Sequence, residues 1–130
     1  MALDLDTSAL VKLVVAEPES PALAAYLSAR NAVLVSSDLT RTELQHAVRR
    51  VAPDRMNRVR EVLATVTTTR LTVAICDTAG RLAAPGLRSL DALHLASALD
   101  LGDDLEGLVG YDDRLADGAR TLGIPVVAPT

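Results

Sequence analysis

The apolar positions of this chain alternate between two spacings. Ala2 to Leu5 is a short apolar run that stops at Asp6, long enough for one strand. Ser8 to Ala16 is apolar around Lys12 and predicts a helix. Glu17-Pro18 breaks it, because a residue before proline is pushed out of the helical region, and a second helix runs to about Arg30. Ala32 to Ser36 is β-branched and apolar, a second strand. Asp38 and Thr40 offer helix caps ahead of Leu44, Ala47, Val48 and Val51, an i, i+3, i+4, i+7 stripe. Glu43, His46 and Arg50 fall on a different face. Pro53 suits the first turn of another helix, whose buried stripe is Val59, Val62, Leu63 and Val66.

Arg70 to Ile75 predicts a short strand or extended piece, then a short helix to about Ala84 and a turn at Pro85-Gly86. Leu90 to Leu101 is apolar nearly all round and predicts a buried helix. Leu108 to Tyr111 reads as a strand and Asp113 to Leu122 as a helix closed by Gly123. Pro125 to Val127 is a last, edge-like strand. Strands alternating with helices imply a single α/β domain over residues 1–130, an α/β/α sandwich around a mostly parallel sheet. Ligands of such sheets bind beyond the carboxyl ends of the strands, where both Asp6 and Asp112 fall.

Composition narrows the class. Apolar residues make up 49% of 130, enough for a core without disulfide support. No apolar run approaches the ~20 residues of a membrane span, and no basic-then-apolar leader opens the chain. Cys76 is the only cysteine; it has no disulfide or zinc partner and reads as a small buried hydrophobe. A cytoplasmic protein is expected. The net charge of −4 conceals an asymmetry. Arg41, Arg49, Arg50, Arg55, Arg58, Arg60 and Arg70 share one stretch, whereas the last third is acidic. A basic face of that kind holds phosphates or is simply solvated. Tyr26 and Tyr111 are the only aromatics, so base stacking on an aromatic platform is excluded.

Four acids stand where chemistry could occur, each with a structural reading beside it. Asp6 and Asp112 suit helix N-caps, and Asp113 competes with Asp112 for either role. Thr40-x-x-Glu43 matches a capping box. Asp91 follows Ser89, a candidate cap, and a carboxylate in a first turn is favoured by the helix dipole. Its apolar neighbours Leu90, Ala92, Leu93 and Leu95 make an unpaired charge costly there. Asp4 shares the strand face of Asp6, either as a second acid or as an exposed strand residue. His46 and His94 each follow an acid by three residues, and neither has the partner of a helical zinc site. A few carboxylates suit Mg²⁺, a hard cation that keeps several waters and activates one of them against a phosphodiester. No nucleophilic triad or glycine-rich phosphate loop is present.

These segments resemble one family throughout. Leu5-Asp6-Thr7-Ser8-Ala9-Leu10-Val11-Lys12-Leu13 is similar to the opening of PIN-domain proteins. Thr40-Arg41-Thr42-Glu43-Leu44 resembles their second acidic motif. The run Leu87 to Ala98 around Asp91 resembles the third, and Gly110-Tyr111-Asp112-Asp113-Arg114-Leu115 the fourth. The order is the family's, and a chain of this size resembles the VapC-type toxins of bacterial toxin–antitoxin pairs. The resemblance implies an endoribonuclease with Asp6, Glu43, Asp91 and Asp112 around Mg²⁺ or Mn²⁺. Asp6 and Asp91 would be principal ligands, with Glu43 and Asp112 acting through water or a second ion, and Ser8 orienting Asp6. It further implies a homodimer, a VapB-type antitoxin, and transfer or ribosomal RNA as substrate. Arg41, Arg49 and Arg50 are candidate contacts for RNA or antitoxin. Two departures stand out: Gly110 where the family often has Thr or Ser, and Asp4 where an apolar residue is usual.

Two other readings remain open. Asp4-Leu5-Asp6-Thr7-Ser8 partly resembles the opening of haloacid-dehalogenase-type phosphatases, although the only lysine is Lys12. A non-catalytic PIN-like module that binds RNA or protein is the other.

Overall fold

The computed structural model describes all residues, Met1–Thr130. Its centre is β1 (Ala2–Leu5), whose four residues are all buried. It pairs in parallel with β2 (Val33–Ser37) on one side and β4 (Leu105–Val109) on the other. β3 (Thr67–Thr69) extends the sheet beyond β2, and β5 (Val126–Val127) beyond β4. All pairings are parallel and the order is β3-β2-β1-β4-β5. A parallel sheet needs helical crossovers, which cover both its faces.

The helices are α1 (Thr7–Val14), α2 (Ser20–Ala29), α3 (Leu39–Val51), α4 (Met56–Ala64), α5 (Val73–Arg81), α6 (Ser89–Leu99) and α7 (Asp113–Thr121). On one face Leu10, Leu44, Val48 and Val62, from α1, α3 and α4, pack with Leu3 and Leu5. On the other, Leu95 and Ala98 of α6 join Leu108, Leu115 and Ala119. A smaller patch, Ile75, Ala79, Ala92 and Ala96, binds α5 to α6. The expected sandwich is therefore present as one domain with a wholly parallel sheet. α7 ends on Gly123, whose φ of +79° is the left-handed turn that favours glycine at a helix end.

Several local expectations differ. The strand expected over Arg70 to Ile75 lies earlier, at Thr67–Thr69, where β-branched threonines suit a partly wet edge strand. Ile75 belongs to α5 instead, because the Thr72 hydroxyl accepts its N–H and starts that helix. The β4 strand begins at Leu105, three residues before the expected start, and stops at Val109. Val51 is 62% exposed and Leu90 51%; Val51 is the last residue of α3 and Leu90 the second of α6, so each lies in an end turn of its helix. Cys76 is exposed: Ile75 points inward and the next helical residue turns about 100° away.

Candidate acidic active site

At the carboxyl edge of β1 the chain turns into α1 at Asp6. The Oδ1 of Asp6 accepts the N–H of Ala9 at 2.9 Å and the Ser8 hydroxyl. The Ser8 Oγ in turn accepts the N–H of Tyr111 at 2.8 Å, joining the β1 and β4 edges. The opposite oxygen, Oδ2, faces Gly110, where an added Cβ would stand 2.3 Å away. Asp6 thus caps a helix and is clasped between Ser8 and a bare stretch of backbone.

Asp112 repeats the arrangement beyond β4. Its Oδ1 accepts the N–H of Leu115 at 2.8 Å and caps α7. Asp91 stands in the first turn of α6, its carboxylate 3.4 Å from the N–H of Arg88, which rather than Ser89 is the cap residue. Cap and site readings coincide for these three acids, because the helix starts that need capping are those that surround the sheet's ligand edge.

Glu43 behaves differently. Thr40 is already helical, with its hydroxyl 2.7 Å from Ser36 Oγ, and Asp38 occupies the cap position. The expected capping box does not form. Glu43 Oε1 accepts instead from the Thr7 hydroxyl at 2.8 Å and lies 2.6 Å from His94 Nε2. His94 is buried; its i+3 spacing places it beside Asp91 on the helix, whereas the tertiary fold presents its ring to Glu43. His46 is exposed.

Asp6, Ser8, Glu43, Asp91, His94 and Asp112 line one pocket of about 80 Å³. It opens into a cleft of about 540 Å³ that shares Glu43, Asp91 and Asp112 and carries Arg88 and Arg114. Burial raises the Asp6 carboxyl above its ordinary range, against the Ser8 and Ala9 hydrogen bonds, and the Asp112 charge adds to the rise. Burial also pushes Glu43 up, but the His94 hydrogen bond and charge, with Thr7, outweigh it and hold Glu43 low. For His94, burial lowers the pKa, yet the bond and charge of Glu43 prevail and raise it, with help from Asp4 and Asp6. Asp4 is 6% exposed, beneath the site rather than on a wet strand face, and burial raises its carboxyl to about 8.

The donor set is oxygen-rich and free of thiolate, which suits a hard divalent cation. No three of the carboxylates and imidazoles already stand at ligating spacing. A few oxygens around one pocket fit a cation that retains several of its waters better than a closed cage would.

The three candidate arginines do not share a surface. Arg41 and Arg49 line a groove of about 430 Å³ between α3 and α4 with Gln45, Asn57 and Arg60. Arg50 lies two helical turns from Glu43 and so on the other flank of α3. No helix is long and apolar enough to cross a membrane.

The PIN domain family matches residues 5–120 of the chain. Ribonuclease VapC46 of Mycobacterium tuberculosis is 46% identical over 129 residues, 99% of this chain and 98% of its own length. Among solved structures, M. tuberculosis VapC20, described as a sarcin-ricin loop cleaving toxin, superposes with a TM-score of 0.76 at 15% identity, covering 98% of this chain and 99% of its own. A chain of a toxin–antitoxin complex from Klebsiella pneumoniae gives 0.71 at 23% identity, covering 100% and 98%. At those identities the two structures speak for the fold, whereas the family match and the near-full-length relative speak for descent. The chain therefore belongs to the PIN-domain family, among the VapC ribonucleases.

Proposed function

We propose that this protein is a divalent-metal-dependent endoribonuclease toxin. The observation that carries the reading is that Asp6, Glu43, Asp91 and Asp112, from four distant segments, line one pocket at the carboxyl edge of the sheet. Asp6 and Asp91 are the principal ligands for Mg²⁺ or Mn²⁺, and Glu43 and Asp112 complete the set through water or a second ion. When bound, the cation stabilises charge on the attacked phosphate and supplies a water of lowered pKa. Ser8 and Gly110 hold the Asp6 carboxylate in place, and His94 and Thr7 fix Glu43. The starts of α1, α6 and α7 converge there, and their partial positive charge favours anions.

The substrate is RNA, with transfer RNA or a ribosomal RNA loop as the proposed target. VapC20, a sarcin-ricin loop cleaving toxin of the same fold, supports the loop. A VapB-type antitoxin that blocks the site is the proposed partner, in keeping with the Klebsiella complex. The active form is a homodimer in the cytoplasm. Arg41, Arg49 and Arg50 contact RNA or antitoxin. The phosphatase alternative needs Asp4 as a substrate-facing nucleophile, and a buried carboxyl with a pKa near 8 does not meet that need. A purely binding module has no use for four acids around one pocket.

The test is cleavage of total cellular RNA by purified protein with Mg²⁺ or Mn²⁺ and with chelator. Asp6→Asn and Asp91→Asn should each abolish turnover while circular dichroism stays unchanged. Full activity in both variants would remove the assignment.

A further inference from the structure

Outside the carboxylates, the cleft holds two cations that the nuclease reading leaves unused. Arg88 precedes the first residue of α6, and Arg114 is the second residue of α7. Both line the 540 Å³ cleft that shares Glu43, Asp91 and Asp112 with the acid pocket. Each is tied by short spacing to a site acid: Arg88 three residues before Asp91, Arg114 two after Asp112. Both side chains are exposed. Neither forms an ion pair, although Asp113 lines the same cleft. The cations that do pair with carboxylates are Lys12, Arg30, Arg41, Arg58, Arg120 and the His94 imidazole.

A cleft with this many carboxylates repels a polyanion, so a nucleic-acid strand needs local positive charge to enter. The Arg41–Arg49–Arg60 groove is badly placed for that, because it runs along the flank of α3 turned away from Glu43. Arg88 and Arg114 are the arginines at the mouth itself. A guanidinium matches a phosphate with two parallel hydrogen bonds.

We infer that Arg88 and Arg114 form a phosphate clamp at the mouth of the acid pocket, gripping backbone phosphates of the RNA strand at the bond to be cut. The inference rests on the nuclease reading for its substrate class. The two arginines are positioning residues: they set where the strand lies, and the carboxylates retain the hydrolytic role.

The experiment uses the full chain with Arg88→Gln, Arg114→Gln, the double variant and the two Arg→Lys variants. Binding is read by fluorescence anisotropy of a labelled single-stranded RNA 12-mer in EDTA, across salt. Cleavage of the same RNA is read in Mg²⁺ or Mn²⁺. Each Gln variant should raise KM several-fold, with kcat within about twofold. The log–log salt slope should fall by about 0.7 per lost phosphate contact, the value for single strands. Lys should restore the slope but not the full affinity, since it keeps the charge and loses the fork. A double variant with unchanged KM and salt slope overturns the clamp. A salt slope that falls in the Gln variants, with no RNA cleaved by the wild type in either metal, supports the clamp and overturns the nuclease reading instead.

Discussion

His94 Nε2 lies 2.6 Å from Glu43 Oε1, joining helices whose contacting residues are 51 positions apart. The contact ties the third acidic motif to the second, and it orients Glu43 at the pocket while the Thr7 hydroxyl bonds the same oxygen. Both partners shift toward their charged forms, His94 upward and Glu43 downward.

That pair makes stability depend on pH. A histidine raised above its ordinary 6.5 contributes fully below that value and loses its contribution as pH rises through the folded pKa. A glutamate held below its ordinary 4.5 contributes above that value and loses it as pH falls through its folded pKa. The pair is therefore strongest between about pH 4.5 and 6.5. His94→Gln should cost roughly 1–2 kcal/mol in that window and less above it. Denaturant unfolding at pH 5.5 and 9 measures the difference, and equal losses at both would refute the pairing.

Asp4 acts with the opposite sign. Its carboxyl holds a proton in the folded state up to about pH 8 but releases it near 3.8 when unfolded. Folding therefore becomes less favourable as pH rises between those values. Asn keeps the shape without the charge. Asp4→Asn should leave the thermal midpoint nearly unchanged near pH 4 and raise it by roughly 5 °C or more at pH 9.

Gly110 should not tolerate a side chain while Asp6 keeps its place, because a Cβ would stand 2.3 Å from Asp6 Oδ2. Gly110→Ala should destabilise by roughly 1–3 kcal/mol, the scale of overpacking, and weaken cleavage strongly. In an Asp6→Ala background, the same substitution should cost little. A double-mutant cycle on thermal unfolding reads that coupling directly, and simple additivity would show that the two residues do not meet.

The basic surface divides into two tests. Arg49→Glu with Arg60→Glu reverses the groove between α3 and α4, whereas Arg50→Glu alters the flank that carries Glu43. If the groove holds RNA backbone away from the cut, the double reversal should weaken binding and flatten its salt dependence. An unchanged slope in both would mark these arginines as solvated.

Much of the molecule was legible from local pattern. Alternating strands and helices followed from burial periodicity, which each segment carries within itself: Leu44 with Val48, and Val59 with Val62, are buried as the spacing required. The positions of Asp6 and Asp112 at strand ends followed from the same pattern and the ligand-edge rule for parallel sheets. Other features depend on which segments meet. Thr67–Thr69 becomes a strand by pairing with β2, Cys76 is exposed by the rotation of α5, and His94 meets Glu43 because α3 and α6 converge at one sheet edge. Periodicity encodes which way a side chain faces relative to its own backbone. The neighbour across the gap, and with it the proton affinity of Asp4 and the fit of Gly110 against Asp6, is set only when distant segments close on one another.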